Sequence, residues 1–192
     1  MDSTRILIIG KNSFLTSCFK KNKNIKKKII SLKDIGKVDL DKFSHILNFS
    51  IDPKNFSYKY NLTNKIDKKI CKLIRNKNCT YVFPSSRLVY LKDKKNFYGI
   101  NKRKIENDIK KYKKKYLILR ISTILMYDTS NRNLFISKVL RSLKKNSIIE
   151  LDIPRNTYKD FLKSKIFVKI LENLIKKDLI GTFNISSNIP IT

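Results

Sequence analysis

The chain has 192 residues, enough for one domain with a real core and short for two. Its 44 Lys and Arg against 15 Asp and Glu give a formal net charge of +29, a balance that first suggests a nucleic-acid or anionic-membrane partner. Lys, Asn and Ile dominate while Ala, Gln and Trp are absent, so the charge reads as a compositional skew on solvated surfaces, and sequence-specific nucleic-acid binding is not expected.

Residues 5–9 (RILII) form a buried strand that ends at Gly10, and GKNSFLTSCF then leads into a helix with Phe14, Leu15, Cys18 and Phe19 apolar. Strand, glycine turn and helix open a dinucleotide-binding βαβ unit, in which a pyrophosphate rests on the helix N-terminus. Residues 28–32 (KIISL) are the second strand, followed by Lys33 and Asp34. Residues 45–49 (HILNF) are the third. His45 starts that strand, away from its carboxyl end, and reads as structural. Residues 61–75 form a helix with Leu62, Ile66, Ile70, Leu73 and Ile74 inward, and Asn61 suits its N-cap.

Residues 80–83 (TYVF) are a short apolar strand that stops at Pro84. Ser85 and Ser86 follow at its carboxyl end, where open α/β sheets place their chemistry. Tyr98 opens a helix with Ile105, Ile109 and Tyr112 on one face, and Lys102 lies one turn further along. An unperturbed phenol titrates at about 10, too high for a base at neutral pH. A neighbouring ammonium favours the phenolate, and a Ser hydroxyl can hold a substrate oxygen beside it. In so Lys-rich a chain a bare Tyr-x-x-x-Lys also fits a solvated helix face, so context decides. Residues 117–121 are the next buried strand, 133–143 an amphipathic helix and 148–151 a short strand.

Three segments carry a resemblance: PSSRLVY (84–90), YGINK with Glu106 (98–106) and LILRIS (117–122). They resemble the short-chain dehydrogenase/reductase superfamily, in particular its extended branch, the NAD-dependent epimerase/dehydratase family. The resemblance implies Ser86, Tyr98 and Lys102 as the catalytic Ser, Tyr and Lys, with Asn61 supporting an active-site water or the Lys. It also implies a fold: a Rossmann-like α/β three-layer sandwich with a mostly parallel sheet. Residues 1–192 would form one such domain, with about 126–192 contributing a vestigial substrate lobe. The loop between Ser86 and Tyr98 is shorter than in extended members, so the pocket it lines would be abbreviated.

The family's Gly-x-x-Gly-x-x-Gly pattern survives here only at Gly10; Ser13 and Thr16 take the other glycine places. Ser13 could donate to phosphate, though its Cβ limits backbone approach, and Thr16 would crowd the helix against the strand. The implied cofactor set is Gly10, Asn12, Ser13, Phe14, Leu15, Lys33, Phe49, Ser50, Tyr98 and Lys102. Lys33 stands where NAD-preferring relatives carry an acid. A cation there suits a 2′-phosphate and tilts NAD or NADP toward NADP, while Asp34 beside it keeps NAD open. IGKVDLDKFS (35–44) is too brief for the helix, strand and helix of relatives, so a narrower sheet is expected. PRNTYKDFLKSKIFVKIL resembles the family's arginine–aspartate–phenylalanine segment, with Arg155 a candidate for a substrate diphosphate beside Ser86.

The implied activity is an NAD(P)-dependent epimerase, dehydratase or reductase acting on a nucleotide-activated sugar, in surface-polysaccharide synthesis, with a homodimer open. The rival is a fold-keeping binding or regulatory protein without turnover, which the lost glycines support. A zinc site is not expected, because Cys18, Cys71 and Cys79 lack paired spacing and His45 is the single histidine. Reduced buried thiols, no leader and no apolar run long enough to span a bilayer imply a cytoplasmic protein.

Overall fold

Strands that bury both faces form the centre of the molecule. The computed structural model describes residues 5–50, 65–125, 135–148 and 158–191. The elements are β1 (Arg5–Ile9), α1 (Phe14–Lys20), β2 (Lys26–Ile30), β3 (His45–Asn48), α2 (Lys65–Ile74), β4 (Thr80–Ser86) and α3 (Phe97–Tyr112). They continue as β5 (Tyr116–Ile121), β6 (Thr123–Leu125), α4 (Phe135–Lys144), β7 (Lys159–Lys163), α5 (Ser164–Lys176), β8 (Gly181–Ile185) and β9 (Pro190–Ile191). The main sheet has six strands in the order β2-β1-β3-β4-β5-β8, every neighbouring pair parallel. A second sheet, β6-β7-β9, pairs β6 with β7 in parallel and β7 with β9 antiparallel.

Period-two alternation divides the side chains of β4 and β5 between two cores. On one face Tyr81, Phe83 and Ile118 pack with Ile70 and Ile74 of α2 and Ile105 and Ile109 of α3. On the other, Val82, Leu117 and Leu119 pack with Phe19 of α1 and Phe167, Leu171 and Ile175 of α5. This is the Rossmann-like three-layer sandwich expected from the sequence, and it aligns the carboxyl ends of β1, β3, β4 and β5 along one edge.

The structure corrects several boundaries. The second strand runs two residues earlier than 28–32, because its lysines lie on an edge strand where alternate positions face solvent. Leu32 then opens a 3-10 helix, Leu32–Lys37, and another follows at Leu40–Lys42. These two tight turns lead from edge strand β2 straight to β3, so the short 35–44 segment carries no further strand. β4 does not stop at Pro84 but continues to Ser86, pairing Ser85 with Arg120 and Ser86 with Ile121. The reason lies in the ladder: Thr80 N bonds toward β3 and Tyr81 N toward β5, so alternation turns the Pro84 nitrogen toward β3. β3 pairs β4 only as far as Val82, and a proline there costs no ladder bond. Ile148 lies outside any strand and is 89 % exposed; the rest of the 148–151 strand falls outside the described residues. The helix expected over 61–75 is described from Lys65 to Ile74, and that expected over 133–143 from Phe135 to Lys144.

Candidate active site

The turn after β1 is built around Gly10, whose φ of +110° lies in a region that side chains avoid. A Cβ at this position would stand 2.5 Å from Ser50 N and 2.7 Å from the carbonyl carbon of Phe49. The first turn and the end of β3 thus meet backbone to backbone, at the place where a dinucleotide-binding fold passes its cofactor. Phe49 buries its ring in the α1/α5 core, leaving its main chain at the contact. Asn48, just before it, is fully buried and donates to Asp67 Oδ1 at 3.0 Å and to Tyr81 Oη at 2.9 Å, while its Oδ1 accepts from Ser50 N at 3.2 Å.

Ser13 and Thr16 do not stand idle in the lost glycine places. Ser13 caps α1, its Oγ accepting from Thr16 N at 3.1 Å and donating to Thr16 Oγ1 at 2.8 Å. Thr16 donates onward to Gly10 O at 2.7 Å and is 1 % exposed. Thr16 thus adds a second hydrogen bond to the Gly10 carbonyl, which also accepts from Ser13 N at 2.9 Å. The cap and this chain of hydroxyls hold the turn shut, and they commit the Ser13 hydroxyl to the protein itself. Asn12 is exposed at the turn, and Phe14 and Leu15 are half-buried behind it.

A cleft of about 450 Å³ opens where β2 ends, lined by Lys11, Lys28, Ser31, Lys33, Asp34 and Lys37 among others. Asp34 lies 3.8 Å from Lys37 in a solvent-exposed pair, and four lysines against this one carboxylate leave the lining a cationic excess that includes Lys33.

Tyr98 and Lys102 are brought together on the first turns of α3. The helix begins at an Asn96 cap, whose Oδ1 accepts from Gly99 N at 3.1 Å. Gly99 is required for packing: an added Cβ would overlap Leu88 O and stand 2.7 Å from the Leu88 carbonyl carbon. Lys102 is 4 % exposed and donates from Nζ to Pro84 O at 3.0 Å, two residues before Ser86. Its ammonium sits 4.4 Å from the centroid of Phe83 and 5.6 Å from that of Tyr98, where ring faces offset part of its lost hydration. Ser86 closes β4 half-buried, its Oγ accepting from Leu88 N at 3.2 Å to start the turn Arg87–Tyr90. Asn61 and Arg155 lie outside the described residues.

One network beside this triplet went unassigned in the sequence. Glu106, 1 % exposed, accepts from Ser85 Oγ at 2.5 Å and from Arg120 Nη2 at 2.6 Å. Arg120 also donates to Tyr90 Oη at 2.7 Å, and Tyr90 donates to Asn184 Oδ1 at 2.8 Å. The hydrogen bond from Arg120 holds the Tyr90 phenol below its ordinary pKa. The signal was present: an Arg inside an otherwise apolar strand must meet a buried acid, and Glu106 follows Lys102 by one turn.

Among the described residues no group of His, Cys, Asp and Glu could hold a metal ion, and no helix is long and apolar enough to cross a membrane.

No protein-family profile matches the chain, and no curated protein does. Solved structures do. A dTDP-4-dehydrorhamnose reductase from Clostridium acetobutylicum is 19 % identical, with a TM-score of 0.77 over 98 % of this chain and 76 % of that one. The Bacillus anthracis dTDP-4-dehydrorhamnose reductase in complex with NADP aligns at 0.78 and 16 % identity, over 99 % of this chain and 76 % of its own. A UDP-N-acetylglucosamine 4-epimerase from Methanobrevibacter ruminantium, in complex with UDP-N-acetylmuramic acid, gives 0.76 and 18 %, covering 100 % of this chain and 79 % of that one. The chain has the fold of these sugar-nucleotide enzymes, the fold of extended short-chain dehydrogenase/reductases.

Proposed function

We propose that the chain is a shortened, divergent extended short-chain dehydrogenase/reductase: an NAD(P)-dependent reductase, epimerase or dehydratase of a nucleotide-activated sugar, serving surface-polysaccharide synthesis. The observation that carries this reading is the pairing of Tyr98 with a buried Lys102 that is hydrogen-bonded to β4 just before Ser86. A solvated helix face would leave that lysine in water.

A dinucleotide fits the residues present. Gly10 gives a backbone cradle that any Cβ would fill, and the lysine-lined cleft at the end of β2 lies where its adenosine half would reach. Lys33 and its neighbours there favour NADP, since a 2′-phosphate supplies the charge they lack. When bound, the nicotinamide supplies or accepts a hydride. Tyr98 would move a proton at a sugar hydroxyl or carbonyl, Lys102 would hold a ribose hydroxyl beside it, and Ser86 would orient the reacting oxygen. Ser86 Oγ accepts from Leu88 N and still has its own proton to donate. Arg155 would meet the substrate diphosphate.

The test joins two measurements. Titrating NADPH and NADH while following nicotinamide fluorescence should show saturable binding, tighter for NADPH. Hydride exchange, followed at the nicotinamide absorbance, is then assayed against UDP-, GDP- and dTDP-sugars. Tyr98→Phe should abolish turnover with cofactor affinity nearly unchanged, and Lys102→Met should weaken both. Ser86→Ala should slow turnover by roughly 10²–10⁴-fold. Turnover retained by Tyr98→Phe would refute the assignment. Saturable cofactor binding without turnover on any sugar would favour the non-catalytic reading.

A further inference from the structure

The backbone on both sides of Ser86 is tied to one buried carboxylate. On the amino side, Ser85 is 4 % exposed and donates to Glu106 Oε1 at 2.5 Å. On the carboxyl side, the turn Arg87–Tyr90 ends in a phenol that accepts from Arg120 Nη1 at 2.7 Å. Arg120 grips Glu106 through Nε, 3.1 Å from Oε1, and through Nη2, 2.6 Å from Oε2. Glu106 lies on α3 one turn beyond Lys102 and two beyond Tyr98. We propose that Glu106 is a positioning residue: through Ser85 and through Arg120 and Tyr90 it sets Ser86 against Tyr98 and Lys102.

Apolar packing alone does not set that register. Hydrophobic contact is non-directional, and the contact of Tyr81 and Phe83 with Ile105 and Ile109 carries no fixed bond angles of its own. A carboxylate held by a guanidinium and a hydroxyl does not, since its bonds have fixed angles and lengths. Nor can the network loosen in part, because a buried charge left without a partner costs more than the bond it loses. Further side-chain ties hold the carboxyl side of Ser86. Asn96 Nδ2 donates to Leu88 O at 2.7 Å, and Arg103 donates to Val89 O. On the amino side the polar anchors to α3 are the Lys102 bond to Pro84 O and the Ser85 bond to Glu106. Removing Glu106 therefore takes away one of the two amino-side anchors to α3 and loosens the carboxyl side in part.

The consequence for turnover rests on the enzyme reading above; the consequence for the backbone does not. Hydrogen–deuterium exchange, read by peptide, tests the second in the full chain. Glu106→Gln should speed exchange of the amides of residues 86–91 by roughly tenfold or more, with Ser85→Ala giving a smaller rise in the same segment. The amides of β1 and β3 should exchange as in the wild type. Should Glu106→Gln fail to fold, Ser85→Ala decides alone. Wild-type exchange over 86–91 in the variants, or a rise spread equally over β1 and β3, overturns the proposal. On whichever sugar nucleotide the wild type reduces or epimerises, Ser85→Ala should lower kcat and leave KM for NADPH unchanged. A loosened segment with wild-type kcat overturns the link to catalysis. Absence of wild-type turnover sinks the enzyme reading and leaves exchange to decide the positioning.

Discussion

Gly10→Ala is the substitution whose cost can be worked most directly from the structure. At φ +110° an alanine is strained before it touches anything, at roughly 1–3 kcal/mol. Its Cβ would also stand 2.5 Å from Ser50 N and 2.9 Å from Ser50 Cα, and these are main-chain atoms just past β3 that cannot turn aside as a flexible side chain could. Overpacking of this kind adds about 1–3 kcal/mol. A total near the middle of the summed range, about 4 kcal/mol, at roughly 2–4 °C per kcal/mol for a chain of this size, lowers the thermal midpoint by about 8–16 °C. Gly36→Ala is the control, because nothing lies within 4 Å of its Cβ and its φ is not positive. It should stay within about 0.5 kcal/mol of the wild type. Circular dichroism melts of the three proteins decide the matter. A Gly10→Ala midpoint within 2 °C of wild type would show that the turn and the β3 end do not meet as described.

The remaining predictions concern pH and the cofactor turn. His45 is buried, and that burial lowers its pKa against an opposing pull from Asp178, 3.3 Å from Nε2. The unfolded chain then protonates first, so stability should fall as pH drops from about 6.5 toward the lower folded value. Urea titrations should show His45→Asn flattening that slope. Glu172 is held down to about 2, first by Lys176 and then by Asn22 and Asn24, so its contribution is present above the ordinary carboxylate value of 4.5 and is lost on acidification toward 2. Glu172→Gln should be less stable at neutral pH and converge with wild type near pH 2. Ser13→Gly should cost only a few tenths of a kcal/mol as a cap. It should also tighten NADPH severalfold in the fluorescence titration by removing the Cβ that limits phosphate approach; weaker binding would contradict that.

The fold was legible because its strands announce themselves. RILII, HILN, TYVF and LILRI are predominantly apolar runs of the kind that strands buried on both faces require, and they form the middle of the sheet. β2 was misplaced by two residues because an edge strand need not be apolar, and KKKII hides its first half among ordinary surface lysines. Pro84 misled for a different reason: whether a proline ends a strand depends on whether its nitrogen faces a partner, and pairing lengths are a tertiary fact. At the site, the spacing of Tyr98 and Lys102 was readable from helical periodicity. The hydroxyl chain from Ser13 through Thr16 to Gly10 O was not, because sequence shows a glycine lost and cannot show what the new hydroxyls bond.

The lysines mark where sequence reasoning stops, and why. In a chain with 44 basic residues every lysine looks solvated, and on α3 and its cap alone they stand at positions 102, 104, 110, 111 and 113. The fold buries two of these, to 4 % exposure each, at opposite ends of the helix. Lys113 Nζ donates to Ile74 O at 3.0 Å and also to Lys77 O, closing the C-terminal end of α2, and burial lowers its pKa. Lys102 donates to Pro84 O and lies against two aromatic rings. Both donate to backbone carbonyls, but Ile74 O also accepts from Lys77 N at 3.1 Å, so Lys113 adds a second bond to a carbonyl already paired. The difference lies in what surrounds them. Lys113 is enclosed by two carbonyls and the buried Cys79 thiol at the far end of the helix, whereas Lys102 faces a half-buried phenol near the carboxyl end of β4, with a serine two residues past its acceptor. A charge that composition makes commonplace becomes chemically specific only where the fold sets beside it a titratable group that is not itself sealed in the core, as Tyr98 is not and Cys79 is.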